Sequence, residues 1–296
     1  MIKEFSTAST SASNTPGTDD SEGFQTFPVS FAQQRLWLLD RLEPGSSVYN
    51  VPAPARLRGR LDVEALRRAL NEIVRRHEPL RTTFAAAEDA PVQVITPEAR
   101  LEVPLIDLSH LPESAREAEA MRLLQEDARK PFDLTKDLML RAGLLRLGPE
   151  EHLLMMTMHH IASDGWSIGV FYRELQILHE AFSHGRPSPL PDFAIQYADF
   201  GVWQRQWLQG AVLERQLDYW KRQLAGAPGL LELPLDHPRP PSQTYRGGMW
   251  QEISFDKKIV EQFKALCRAE GCTLFMGLLA AFEAVVFRYT GQSDVV

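Results

Sequence analysis

Two adjacent histidines, His159 and His160, are the residues of this chain whose type and spacing best suit chemistry, and Asp164 and Gly165 follow them. A neutral imidazole can accept a proton from an attacking amine or alcohol near pH 7, which is the task of a general base. Asp164 could orient that imidazole, or pair with an arginine and fix the turn. The backbone N–H of Gly165 could bind a carbonyl oxygen that becomes negative during acyl transfer. The pattern therefore favours acyl-transfer chemistry.

The histidine pair also has two plainer interpretations. Histidines at the end of a strand are often structural, or belong to a metal site, and zinc requires further ligands at a suitable spacing. The remaining histidines form no cluster with the pair: His77, His110, His152, His179, His184 and His237. We therefore predict no metal site and no directly bound cofactor.

The flanking sequence predicts the elements that must position these residues. An apolar run over residues 153–158 predicts a strand, and an amphipathic run over 168–182 predicts a helix, so the motif falls at a strand, turn and helix junction. Side chains alternate along a strand, so the two histidines point to opposite faces. We expect His160, which lies nearer the turn, to face a cavity and His159 to face the packed interior.

A second polar segment ends the helix predicted over residues 63–74. Pro79 cannot continue that helix, so residues 80–84 are predicted to leave as a strand that carries Arg81. An inward arginine needs a buried carboxylate, and Asp164 is the candidate. The alternative is that these cations lie at a solvated helix end, where the helix dipole favours positive charge.

Composition limits the class of protein. A chain of 296 residues, 44% hydrophobic and 24% charged, is typical of globular domains, and its net charge of −7 argues against nucleic-acid binding. No apolar run approaches the length of a membrane span and no secretory signal opens the chain, so we expect no membrane partner and a cytoplasmic location. Residues 1–26 are rich in Ser and Thr and predict a disordered tail.

The ordered sequence divides into two parts. Residues 27–180 predict an α/β sandwich of mixed strands with helices on one side. Residues 181–296 begin with a Pro-rich linker, and aromatic residues then recur at helical spacing, a stripe that is usually part of a core: Tyr197, Phe200, Trp203 and Trp207. The strands and helices of this second part have too few partners to close a sheet, so we predict that it is only the start of a domain.

Four segments together resemble the condensation domain of nonribosomal peptide synthetases. In chain order they are 30–37 (SFAQQRLW), 76–84 (RHEPLRTTF), 158–167 (MHHIASDGWS) and 197–204 (YADFGVWQ). The resemblance implies an α/β fold of two chloramphenicol-acetyltransferase-like lobes, with the N-terminal lobe complete over 27–180 and the C-terminal lobe partial over 181–296. It also implies that the present stretch is inactive by itself.

The family reaction is peptide-bond formation between two thioesters, each held on the phosphopantetheine arm of a carrier protein. Carried over by position, His160 and Gly165 are the catalytic residues. Asp164 is expected to bridge to an arginine, with Arg81 the first choice and Arg76 the alternative. The residues expected to shape the active site are His159, Asp164, Arg81, Arg76 and Trp203.

The expected partners are donor and acceptor peptidyl carrier proteins and an adjacent adenylation domain. If Met1 is native, too few residues precede the domain for a carrier, and the donor would arrive in trans. The continuation Asp164 to Ser167 favours ordinary condensation over cyclising or epimerising relatives. Two alternatives stay open: an acyltransferase that uses coenzyme A, and a non-catalytic platform that docks carrier proteins or tailoring enzymes.

Overall fold

The computed structural model describes residues 24–87, 90–239 and 253–295, and the chain divides into two compact units, Met1–Leu208 and Gln209–Val296. The strands of the first unit are β1 (Gln25–Pro28), β2 (Asn50–Pro52), β3 (Ala55–Arg58), β4 (Thr82–Ala86), β5 (Pro91–Ile95), β6 (Leu105–Asp107), β7 (Leu140–Gly148) and β8 (Glu151–His159). Its helices are α1 (Phe31–Leu42), α2 (Val63–Arg76), α3 (Glu113–Arg129), α4 (Gly165–Ser183) and α5 (Tyr197–Trp207).

A five-stranded sheet carries the histidine pair at the end of its central strand. The order is β2-β8-β7-β6, and β3 also pairs with β8. The apolar runs over residues 138–147 and 152–158, which flank a turn at 148–151, predict a hairpin. The structure confirms it, because β7 and β8 run antiparallel with Leu140 opposite Met158. Strand β8 is buried along almost its whole length, which explains its apolar sequence.

Helices cover both faces of this sheet, so the prediction of helices on one side was wrong. Alternate residues of β8 separate into two clusters. Leu154 and Met156 pack with α2 and α4, whereas Leu153 and Met155 pack with the Ala120 face of α3. The apolar faces of α2 and α4 have the three- and four-residue spacing that the sequence shows. The strand end is therefore held from both sides.

A smaller sheet of three antiparallel strands, in the order β1-β5-β4, lies elsewhere in the first unit. Strand β1 begins at Gln25, within the stretch predicted as tail, because its backbone pairs with β5. Helix α5 packs closely against this region. A Cβ on Gly201 would lie 2.8 Å from the carbonyl oxygen of Pro28, so only glycine allows this approach of the helix.

The first unit extends to Leu208 and so includes α5, which was predicted to belong to the second part. The reason is contact: Tyr197 Oη lies 3.1 Å from Ser30 Oγ, and the backbone N–H of Phe31 donates to Gln204 Oε1 at 2.9 Å. The division into lobes at residue 180 was inferred from the linker composition and stays a prediction. The structure adds that the aromatic helix packs with the first unit.

The described part of the second unit consists of α6 (Gly210–Gln223), α7 (Lys257–Ala269) and α8 (Leu274–Thr290). The sequence predicts that Thr273 caps the last helix and that Gly291 stops it. Both are confirmed, because the Thr273 side chain accepts from the backbone N–H of Met276 and Gly291 has the left-handed conformation. The alternating sequence over residues 250–255 predicts a strand. Residues 250–252 lie outside the described part, and the described residues 253–255 are not in a strand. No single described helix has the length and apolar character to cross a bilayer, although the bent pair α7 and α8 meets that test jointly.

Candidate functional site

The histidine pair lies where β8 ends and the chain turns toward α4. The backbone N–H of His159 donates to the carbonyl of Met139, and that of His160 donates to the carbonyl of Tyr49 at 2.9 Å. The two side chains separate as the alternation predicts, with His159 buried and His160 exposed. Among the described residues, no side chain or backbone group bonds the ring of His160. Its nitrogens are therefore available to a substrate.

His159 is a structural residue of the turn. Its Nδ1 accepts a hydrogen bond from the backbone N–H of Ile161 at 3.1 Å, and its carbonyl accepts one from Ser163 Oγ at 3.1 Å. Its ring lies edge-on to Phe132. Burial lowers its pKa to about 4, with a smaller contribution from the charge of His160, so the ring is neutral at physiological pH. The buried ring holds the turn that presents His160.

His160 lines a cavity of about 600 Å³ within the first unit. Each of the four segments that carry the family resemblance contributes to its wall: Arg35 from the first, His77 from the second, His160 from the third and Phe200 from the fourth. Most of the remaining wall is apolar. Segments that are far apart in the sequence therefore meet at one site.

Asp164 is the N-cap of α4, and the expected bridge to an arginine was wrong. Its Oδ1 accepts from the Ser167 backbone N–H at 2.8 Å and from Ser167 Oγ at 2.6 Å, while its own N–H donates to Ser167 Oγ. These bonds lower the pKa of Asp164, the side-chain bond from Ser167 most of all. Among the described residues, no Lys, Arg or His nitrogen lies within 4.0 Å of the Asp164 carboxylate, whose Oδ1 acts as the helix cap.

Arg76 has a different carboxylate, Glu174 on α4. Arg76 Nε lies 3.4 Å from Glu174 Oε2, and both side chains are buried. Arg76 also donates to the carbonyls of Leu190 and Pro191 in the linker. Sequence reasoning missed Glu174. The sequence feature that could have identified it is the position of this carboxylate on the apolar face of α4, at helical spacing between Phe171 and Leu178.

Arg81 does not lie in a strand, contrary to the prediction. A 3-10 helix, Glu78–Arg81, has Pro79 in its first turn, and β4 begins at the next residue, Thr82. The guanidinium bonds to the carbonyl of Thr96 and pairs with Glu78 at 3.5 Å. The bend of the 3-10 helix aims the side chain at this loop, so Arg81 was wrong as the partner of Asp164.

Gly165 and Trp203 lie beside the cavity and not in its wall. Gly165 is the first residue of α4, and a Cβ added to it would meet nothing within 4 Å. Trp203 is 51% exposed, stacks on Trp207 and contacts Phe200, which does line the cavity. The aromatic stripe was predicted as core, but its members are largely exposed because α5 packs through Ala198 and Gly201.

Trp166, at the start of α4, is a cavity residue that the sequence patterns did not single out. It lines the wall and is 84% exposed. An exposed tryptophan in the same cavity wall as the imidazole of His160 is a surface that an apolar part of a substrate can contact. Among the described residues, no three His, Cys, Asp or Glu side chains are arranged so that they could hold a metal ion.

Comparison with known proteins gives one consistent result. The family model for the condensation domain matches residues 24–296. One chain of the linear gramicidin synthase of Brevibacillus parabrevis is 49% identical over 272 residues, which cover 92% of this chain and 4% of that protein. Phosphinothricin tripeptide synthetase PhsC of Streptomyces viridochromogenes is 43% identical over 269 residues, covering 91% of this chain and 25% of the relative. The chain thus spans a small part of the curated relatives it matches.

Solved structures are similar across most of the chain. The X-domain from teicoplanin biosynthesis matches with a TM-score of 0.76 and 31% identity, covering 88% of this chain and 57% of that one. The first condensation domain of the CDA synthetase matches with a TM-score of 0.75 and 24% identity, covering 91% and 64%, a likeness of fold. These matches confirm the predicted α/β fold class. The chain belongs to the condensation domain family of nonribosomal peptide synthetases.

Proposed function

We propose that this chain carries the reacting residues of an amide-forming condensation domain. The donor is an aminoacyl, peptidyl or acyl thioester, and the acceptor is an aminoacyl thioester. The observation that carries the proposal is the cavity to which all four resemblance segments contribute, with the free ring of His160 in its wall. Its largely apolar lining suits acyl chains and side chains, and its exposed imidazole suits an amine.

In the proposed reaction the acceptor amine attacks the donor carbonyl carbon. The C–N bond forms, the C–S bond breaks, and the amine loses one proton. His160 accepts that proton and returns it to the leaving sulfur, so the products are an amide and a free thiol. Because a thioester is reactive, holding both reactants in one cavity supplies much of the acceleration, and His160 also orients the amine.

Gly165 is proposed to stabilise the carbonyl oxygen while it is negative. As the first residue of α4, its backbone N–H has no partner within the helix, and the positive end of the helix dipole lies there. The open space around its Cα leaves that N–H approachable. Trp203 is proposed to act indirectly, by supporting Phe200.

The proposed partners are donor and acceptor peptidyl carrier proteins and an adjacent adenylation domain. Both substrates would arrive on phosphopantetheine arms, so no separate cofactor is proposed. The cytoplasmic location expected from the sequence also stays a proposal.

The test measures product formation in the synthetase that carries this sequence, with donor and acceptor carriers loaded. We expect His160→Ala to lower the rate by about 100-fold or more, since a positioned general base contributes roughly that much. His110→Ala is the matched control, because His110 is exposed and lies outside the cavity. Undiminished product formation with His160→Ala would remove His160 from the mechanism.

A second candidate is a docking platform for a partner enzyme. It is favoured by the similarity to the X-domain, which has also been solved in complex with OxyB from teicoplanin biosynthesis. The same experiment separates the two functions. A platform would leave product formation unaffected by the His160 substitution and would bind a partner enzyme through the first unit.

A further inference from the structure

We propose that His77 positions the acceptor substrate by accepting, at Nδ1, a hydrogen bond from a substrate N–H group. This inference rests on the proposed function and adds a second polar contact to the His160 cavity. His77 ends α2 and lies in the wall of the same cavity as His160.

Most polar side chains in the cavity wall are already engaged within the protein. Asp164 and Ser167 bond each other, and Ser163 donates to the carbonyl of His159. Gln196 donates to the carbonyl of Arg76, and Tyr197 pairs with Ser30. In the described part of the chain, the side-chain nitrogens of the wall that no other described group bonds belong to Arg35, His77, His160 and Trp166.

His77 has one nitrogen held and one free. Its Nε2 lies 2.9 Å from Glu174 Oε2, and no described residue bonds Nδ1. A carboxylate can only accept, so in the neutral ring Nε2 carries the proton and donates it to Glu174. Nδ1 is then a lone-pair acceptor. Arg35 and Trp166 can only donate, so His77 and His160 supply the nitrogens among these four side chains that can receive a substrate N–H.

The ring of His77 is fixed by its surroundings. Glu174 is buried and also paired with Arg76, so it cannot follow a moving imidazole. The other side of the ring contacts Phe193 at a centroid distance of 5.0 Å, and Arg76 lies over the same phenyl ring at 4.8 Å. Phe193 itself lines the cavity. A fixed acceptor loses little conformational entropy when it binds, which is what a positioning residue needs.

Two substrate groups offer the required N–H: the acceptor's amino group and the amides of the phosphopantetheine arm. NMR spectra of the chain labelled with 15N-histidine, recorded with a separate probe for each group, distinguish these two sources. Glycine ethyl ester presents an amine alone, and pantetheine presents amides alone. We expect the Nδ1 signal of His77 to shift with one of the two probes. If both probes move the signals of His160 and neither moves Nδ1 of His77, the proposal is wrong.

Kinetics in the loaded synthetase tests the positioning role. His77→Phe keeps the packing on Phe193 and removes the acceptor. We expect it to raise the KM for the acceptor carrier about three- to ten-fold, the worth of one neutral hydrogen bond, with the donor KM unchanged. His77→Gln keeps a donor for Glu174 and an acceptor for the substrate, so it should recover much of the loss.

The outcomes are distinguishable from those of the proposed function. An unchanged acceptor KM in His77→Phe, beside an inactive His160→Ala, would overturn the role of His77 alone. Full activity of His160→Ala would instead count against the proposed function. His110→Gln is the control for substitution of an exposed histidine. Thermal melting of both His77 variants identifies any loss of folding, and a defect in the donor KM equal to that in the acceptor KM would also contradict the proposal.

Discussion

Arg76 and Glu174 form a buried ion pair that joins the end of α2 to the middle of α4, with Nε and Oε2 3.4 Å apart and side-chain exposures of 2% and 9%. The pair shares Glu174 with His77, and Arg76 continues to the linker carbonyls at Leu190 and Pro191. One buried carboxylate thus holds two residues of the second segment, and the cavity wall depends on it.

Removing one partner of this pair should destabilise the protein strongly. A buried charge left without its partner costs about 3–5 kcal/mol, so Arg76→Met and Glu174→Leu should each lower the free energy of unfolding by roughly that amount. The double variant should lose less than the sum, because neither charge remains. Urea denaturation of the three variants measures the coupling.

The matched control is Arg122→Met, which removes an exposed pair with Glu119 and Glu126. Exposed pairs contribute about 1 kcal/mol or less, so this variant should unfold close to the original protein. Strictly additive losses for Arg76 and Glu174 would show that the two side chains do not depend on each other.

The local structure was predictable from the sequence, and the contacts between segments were not. The strand, turn and helix around His160 and the opposite faces of the two histidines follow from spacing alone. Periodicity shows which face of a helix is buried but does not name what lies opposite. For that reason Asp164 was chosen as the carboxylate for Arg76 or Arg81, while Glu174, hidden among apolar residues, was overlooked.

Short elements were missed for a related reason. Strands β2 and β6 are three residues long and have no alternation of their own to detect, since pairing with β8 and β7 creates them. The aromatic helix α5 was predicted as a core element because its aromatic residues share one face. The structure packs it through Ala198 and Gly201 instead, a close approach that only the glycine signals.

Asp164 should behave as a helix cap and not as half of an ion pair. Asp164→Ala removes the acceptor for the Ser167 N–H and should cost about 1 kcal/mol of unfolding free energy. Asp164→Asn should cost little, because asparagine caps helices about as well as aspartate. Thermal and urea unfolding of both variants measures this. If Asp164→Asn lowers the free energy of unfolding by several kcal/mol, Asp164 has a charged partner after all.

His159 should make stability depend on pH between about 4 and 6.5. Its pKa is lowered to about 4 by burial, so the unfolded chain binds a proton in this range that the folded chain does not. The free energy of unfolding therefore rises with pH through this window, by about 3 kcal/mol for a pKa shift of this size. This contribution of His159 is complete above pH 6.5 and is lost as the pH falls toward 4. Urea denaturation at several pH values gives the slope.

His159→Asn should remove most of that slope, because an asparagine oxygen can replace Nδ1 as the acceptor for the Ile161 N–H without titrating. His110→Asn, at an exposed position, should leave the slope unchanged. Equal slopes in the original protein and in His159→Asn would mean that another group titrates in this range.

Gly165 offers a direct test of the backbone N–H at the start of α4. The first position of a helix accepts proline, which lacks the N–H, and the extended backbone of Asp164 is compatible with a following proline. Gly165→Pro should therefore fold normally, yet lower kcat about 100-fold or more if the N–H stabilises the negative carbonyl oxygen. Gly165→Ala keeps the N–H and meets no atom within 4 Å, so it should keep both stability and rate. If both variants keep the original rate in the loaded synthetase, the N–H takes no part in the reaction. If both lose the same large fraction of the rate, the cause is crowding at this position and not the loss of the N–H.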